Sequence, residues 1–244
     1  MQNRKIWLSV IVILLFLATN LLVDYFRPDS GPFWFRFMFQ YFCWLLCIGL
    51  GLRICGIRLI KFATDIGLVA KPLYFILWSL LLSAPMLIGF SLTASISPSL
   101  TISGFFTSSV FPGFFEEIFY RGFLFYLLWK KFSWNFVLAA LASALTFGLG
   151  HWYQGGDWIS ALQIVLFTGI GGVWFAWLFK EWKSIWLPIG LHILMNAYWY
   201  IWEISDTAVG SQTANVIRLV TIVLSIGVTL WLRYKKQLPV AVKD

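Results

Sequence analysis

Ile6-Trp7-Leu8-Ser9-Val10-Ile11-Val12-Ile13-Leu14-Leu15-Phe16 opens an apolar run that continues to Phe26 with one charged residue, Asp24. A helix of that length crosses about 30 Å of hydrocarbon, enough for a bilayer. Arg4-Lys5 before it resembles the start of a signal sequence, but the run is long and no small-x-small cleavage site follows. Asp24 and Arg27 stand where cleavage would fall, so we read an uncleaved first span.

The rest of the chain repeats this theme. Of its 244 residues 60% are hydrophobic and 11% charged, and the mean hydropathy is +0.83. A water-soluble domain of this size could not hide so much apolar surface. The 15 Trp and 24 Phe suit lipid-facing and interfacial packing. The net charge of +8 comes from short clusters between apolar runs, with no basic stripe, which argues against nucleic acid. Cys43, Cys47 and Cys55 lie in or beside one apolar segment without a CxxC motif or a His-rich partner, and read as small apolar side chains, a disulfide or metal role being the lesser option.

The fold class expected is all-α, a polytopic helical membrane protein with about eight spans. They fall near 6–26, 33–52, 73–94, 110–129, 134–152, 160–179, 185–202 and 214–232, with breaks at Pro28-Asp29-Ser30-Gly31, Ser95 to Gly104 and Gly155-Gly156-Asp157. With the N-terminus inside, 14 of the 18 Lys and Arg fall in cytoplasmic loops and tails, so both termini are expected in the cytoplasm. Between Arg53 and Lys71, apolar and basic residues alternate as in a short helix lying on the inner leaflet. A plain connecting loop fits nearly as well.

Ionisable groups in hydrocarbon cost at least a few kcal/mol each and persist mainly where they pair or perform a task. Three spans carry them. In Phe111-Pro112-Gly113-Phe114-Phe115-Glu116-Glu117-Ile118-Phe119-Tyr120-Arg121, Glu117 and Arg121 are four apart and can pair. Glu116 is turned about 100° away, a free carboxylate suited to general acid or base work. Pro112 fits a first helical turn. In Phe147-Gly148-Leu149-Gly150-His151, the two glycines allow close backbone approach, letting His151 face a neighbouring helix. In His192-Ile193-Leu194-Met195-Asn196, two donors share a helix face and could hold an oxyanion. Together these groups are a kit for activating water against an amide carbonyl. Glu116, His151 and His192 could instead ligate zinc as a two-His, one-carboxylate set.

Glu-Glu-x-x-x-Arg at 116–121, Phe-x-x-x-His at 147–151 and His-x-x-x-Asn at 192–196, in that order, resemble the three motifs of the CPBP (CAAX-processing and bacteriocin-processing, or Abi) intramembrane endopeptidases. The resemblance covers roughly residues 110–200. It implies a helical membrane protease with its active site in an intramembrane cavity. Glu116 and His151 would activate water, His192 and Asn196 stabilise the oxyanion, and Glu117, Arg121 and Phe147 support them. It also implies a glutamic mechanism without a cofactor, zinc being the lesser alternative. The expected division is N-terminal spans with the basic linker over 1–109, a catalytic core over 110–204, and a final helix with a basic tail over 205–244.

The expected partners are membrane lipid and a peptide or membrane-protein substrate, and the expected location is the plasma membrane of a prokaryote. Loop charges put Glu116 about six residues, or ~9 Å, below the outer surface, with His151 on that side. Two other functions remain. One is a non-enzymatic immunity or regulatory protein that binds a peptide; the other is a proton-coupled transporter, although no internal repeat is visible.

Overall fold

Backbone polar groups in hydrocarbon must be satisfied within their own segment, so long apolar runs fold there as helices. The computed structural model describes residues 2–26, 33–205 and 207–238, without the side chains of 33 and 34. Arg27, the Pro28–Gly31 break, Lys243 and the end of the basic tail lie outside the described residues. The helices are α1 (Gln2–Phe26), α2 (Phe33–Ile54), α3 (Leu59–Asp65), α4 (Pro72–Thr93), α5 (102–131), α6 (Phe136–Leu149), α7 (Trp158–Trp182), α8 (Trp186–Ile201) and α9 (Gln212–Tyr234). The protein is an all-α polytopic membrane protein.

Among the described residues, α1, α2, α4, α7 and α9, and α6 together with the turns that continue it to Gln154, are long and apolar enough to cross a bilayer. The other two expected spans are helical but of another kind. The segment expected at 110–129 lies inside α5, which carries Glu116, Glu117, Arg121, Lys130 and Lys131. The segment expected at 185–202 is α8, whose 16 residues extend about 24 Å. Both are walled in by neighbours, so neither needs an outward apolar face.

α5 also begins earlier than the sequence implies. Thr101 caps it by accepting from the Gly104 N–H at 3.0 Å, which leaves Pro112 well inside the helix and not in its first turn. The ring of an internal proline collides with the carbonyl four residues before it. Here a wide i→i+5 turn over Phe106–Val110 precedes Pro112 and opens the helix at that place. Further wide turns run through Glu117–Phe125 and Leu127–Lys131. Glu116 consequently lies 14 residues, roughly 20 Å, from the start of its helix, where the sequence reading puts that start about six residues before it.

The loops gather at two ends. At the basic end, Lys5 donates to Ser133 at 2.8 Å. Asp65 pairs with Lys131 at 2.8 Å and Lys61 at 2.9 Å. The Trp186 indole donates to the Leu68 carbonyl at 2.8 Å. Gly67, with φ +71°, lies so close to Lys183 and Ser184 that a Cβ would sit 2.7 Å from the Lys183 carbonyl oxygen. α3 is thus a true helix, exposing Leu59 and Ile60 while Phe62 is buried. At the opposite end, Ser97 N–H donates to Ile201 O at 2.8 Å and Glu203 N–H to Ser95 O at 2.9 Å, tying the loop after α4 to the end of α8.

α6 and α7 pack backbone to backbone, because Gly148 has no side chain to keep them apart: a Cβ there would lie 2.5 Å from the Val165 carbonyl oxygen. α9 is held to α7 by buried hydroxyls that accept indole N–H groups, Trp174 to Ser225 at 3.1 Å and Trp182 to Thr229 at 2.9 Å. The three cysteines are free.

Two expectations follow. Gly148→Ala forces a backbone shift and should cost about 1–3 kcal/mol, whereas Gly171→Ala, with nothing within 4 Å of its Cβ, should not; thermal unfolding in detergent measures both. Partial burial pushes the Asp65 carboxyl up, but hydrogen bonds from Lys131, Lys61 and Tyr126 outweigh it and hold the group below the usual carboxylate range. A depressed pKa stabilises above the unfolded value, about 3.9, and that stability is lost as pH falls through the folded value. The gap in melting temperature between wild type and Asp65→Asn should therefore be present at pH 7 and shrink below pH ~4.

Candidate functional site

α5 brings its acid pair to the middle of the bundle, where the end of α6 and the middle of α8 meet it. Glu117 and Arg121, one turn apart, form an ion pair at 3.0 Å with both side chains fully buried. The Glu117 Oε1 also accepts from His192 Nδ1 at 2.8 Å. One carboxylate oxygen thereby joins α5 to α8. The other oxygen and the Arg121 Nε and Nη2 have no hydrogen-bond partner among the described residues. Instead, the guanidinium carbon stands 4.1 Å from the centre of the Phe147 ring and 5.4 Å from that of Phe175, an arrangement favoured by the ring quadrupole. Gly172 gives it room, since a Cβ there would lie 3.1 Å from Arg121 Nη2.

Glu116 is turned out of this pair, as its position one residue before Glu117 requires. Its Oε2 is 3.7 Å from His192 Nε2, and its side chain keeps 15% of its surface exposed. His192 therefore lies between the two carboxylates, hydrogen-bonded to one through Nδ1 and facing the other with Nε2. Phe175 stacks on its ring, with centroids 5.3 Å apart. Because Nδ1–H is engaged by Glu117, Nε2 carries a proton only in the imidazolium form. The expected His192–Asn196 donor pair is thus conditional on that protonation. Asn196 follows one turn later in α8 and is half-buried.

His151 sits just past the end of α6. Its Nδ1 is 2.8 Å from the Phe147 carbonyl oxygen, which can only accept, so Nδ1 is the donor and Nε2 is left as an acceptor. The His151 imidazole makes no contact with either carboxylate among the described residues. It reaches the cluster through Phe147, whose ring meets His151 at 4.6 Å, Tyr120 at 5.0 Å and His192 at 6.1 Å between centroids. Phe147 is the shared wall of the site. Among the described residues no group of three or more His, Cys, Asp or Glu is close enough to hold a metal ion. Glu116, His151 and His192 as placed do not form such a group.

The structure therefore gathers Glu116, Glu117, Arg121, Phe147 and His192 tightly, with His151 and Asn196 at the margin. Three contributors escaped the sequence reading. Phe175 and Gly172 on α7 carry no motif to mark them. Tyr120 had a signal, since it lies four residues after Glu116 on the same helix face.

The site fixes where sequence comparison carries weight. Residues 98–198 match the family model described as type II CAAX prenyl endopeptidase Rce1-like, an interval that contains every residue from Glu116 to Asn196. A Bacillus subtilis (strain 168) protein, YdiL, named as a membrane peptidase, is 33% identical over 97 residues, which are 40% of this chain and 36% of that protein. The chain thus spans about a third of the length of this curated relative.

Phe147 should be the most sensitive wall residue. Phe147→Ala is expected to cost about 3–5 kcal/mol in unfolding, against less than about 1 kcal/mol for Val137→Ala on the exposed face of α6; equal losses would show that the ring is not a support of the cluster. Through residues 98–198 and the three motifs within them, this part of the chain is similar to the type II CAAX prenyl endopeptidase Rce1-like family.

Proposed function

We propose that this protein is an intramembrane endopeptidase that hydrolyses a peptide bond in a membrane-associated protein or peptide. The observation that carries the reading is the setting of Glu116, a partly exposed carboxylate facing His192 Nε2 at 3.7 Å beside an ion pair that holds the histidine from behind. A carboxylate of this kind can take a proton from water as the water attacks a carbonyl. The tetrahedral oxyanion is then stabilised by donors from α8, Asn196 and His192 in its protonated form. His151, with Nε2 free to accept, helps orient the water and passes the proton towards the leaving amine. Glu117, Arg121 and Phe147 keep these groups in place.

The geometry favours one variation. His192 approaches Glu116 more closely than His151 does, so His192 is a second candidate for the imidazole that shares the Glu116 proton. Losing His192 then costs more than losing Asn196.

The setting belongs to the same proposal. With the basic end of the bundle in the cytoplasm, both termini are cytoplasmic and His151 lies towards the outer face of a prokaryotic plasma membrane. The site would then receive lipid-anchored or membrane-spanning peptides from within the bilayer or its outer side. A reporter fused after Gly156 should read extracytoplasmic; a cytoplasmic reading would reverse the orientation.

The chemical test is cleavage by the purified chain in detergent with excess chelator. The substrates are prenylated C-terminal peptides and transmembrane peptides with C-terminal sorting signals. Glu116→Gln should lower the rate by at least ~100-fold, with smaller but clear losses in His151→Ala and His192→Ala. Cleavage abolished by chelator and restored by zinc would assign the chemistry to a metal. Tight peptide binding without cleavage would favour a non-enzymatic binding role.

A further inference from the structure

A water held between Glu116 and His151 would donate one proton to the carboxylate and the other to the His151 Nε2, because both are acceptors as the site is arranged. Its oxygen then needs a donor to fix it, with one lone pair left for attack. The hydroxyl of Tyr120 is placed to supply that donor. Tyr120 follows Glu116 by four residues on α5, and helical side chains lean towards the N-terminus of their helix. Its ring therefore reaches back to the level of Glu116 and across to the turn that ends α6. The contacts agree: the ring packs edge-on to Phe147 at 5.0 Å, and a Cβ on Gly150, next to His151, would lie 3.3 Å from the Tyr120 hydroxyl oxygen. Glu116 is within electrostatic reach of that hydroxyl.

The environment of the hydroxyl is unusual. Tyr120 as a residue is only 4% exposed, packed among Phe16, Trp44 and Phe119. Its oxygen makes no hydrogen bond among the described residues, and Gly150 leaves room beside it. A buried tyrosine normally satisfies its hydroxyl within the protein. Here packing alone would be served by phenylalanine, and the polar group is directed into the gap beside His151.

We propose that Tyr120 is a positioning residue whose hydroxyl holds the hydrolytic water between the Glu116 carboxylate and the His151 imidazole. The proposal rests on the peptidase reading for its rate effect but not for the hydrogen-bonded link itself. Two measurements on the full-length chain in detergent separate these parts. The first is steady-state cleavage of whichever peptide in the panel above is hydrolysed, by wild type, Glu116→Gln, Tyr120→Phe and Tyr74→Phe, with melting temperatures for each. The second is the imidazole ¹⁵N spectrum at fixed pH, readable because the chain has only two histidines.

Tyr120→Phe should lower kcat about 10- to 100-fold with KM and melting temperature unchanged, the pattern of a lost transition-state contact. Tyr74→Phe should match wild type. In the spectrum, Glu116→Gln should displace the His151 Nε2 resonance when Tyr120 is present and leave it in place when Tyr120 is Phe. A wild-type kcat in Tyr120→Phe, or a loss of kcat matched by a loss of melting temperature, overturns the positioning role. If wild type cleaves nothing, or Glu116→Gln keeps full rate, the peptidase reading fails. The spectrum then decides the link by itself, and a His151 resonance indifferent to both substitutions overturns it.

Discussion

Two charges and an imidazole share one oxygen at the centre of this protein. Glu117 Oε1 meets Arg121 at 3.0 Å and His192 at 2.8 Å, in a place from which water is largely excluded. Desolvating such groups costs several kcal/mol per ion, recovered only where geometry is good and the remaining polar atoms find partners. Replacing a buried ion pair with well-packed apolar residues is often neutral or stabilising. The presence of one here makes sense as a device for orientation, because Glu117 fixes which nitrogen of His192 carries its proton and aims the other at Glu116.

The surrounding architecture follows from the need to shelter that cluster. α5 carries too many charges to face lipid, so the crossing helices enclose it and α8 packs beside it. Aromatic faces from α6 and α7 cover the Arg121 guanidinium where hydrogen-bond acceptors are lacking. Wide turns along α5 adjust the rotation of successive residues around the helix, and they occur on either side of Glu116. The close α6–α7 contact at Gly148 sets the position of the α6 end, and with it His151. Local sequence features that look separate, a proline, a glycine and a wide turn, thus serve one placement.

Much of this was legible in the chain. Apolar runs of bilayer length announced α1, α2, α4, α6, α7 and α9, and the four-residue spacing of Glu117 and Arg121 announced their pairing. The three motifs named the residues of the site in order. What could not be read were properties set by tertiary contact. Pro112 looked like a helix start because nothing local reveals the turn at Phe106–Val110 that accommodates it. The joining of His192 to Glu117, 75 residues away in sequence, depends on how α5 and α8 cross, and so does the approach of Nε2 to Glu116. Phe175 and Gly172 were invisible among many similar residues in apolar helices, where only the neighbour across the interface gives them meaning.

The central claim is that Glu117, Arg121 and His192 act as one unit. A double-mutant cycle tests it most directly, with unfolding of Glu117→Gln, Arg121→Met and the double variant measured in the same detergent. Removing one partner of a buried pair strands the other, so each single variant should lose about 3–5 kcal/mol, while the double variant should lose much less than their sum. Simple additivity would contradict the account, because it would mean that Glu117 and Arg121 stabilise the protein independently and that the site is not built on their pairing.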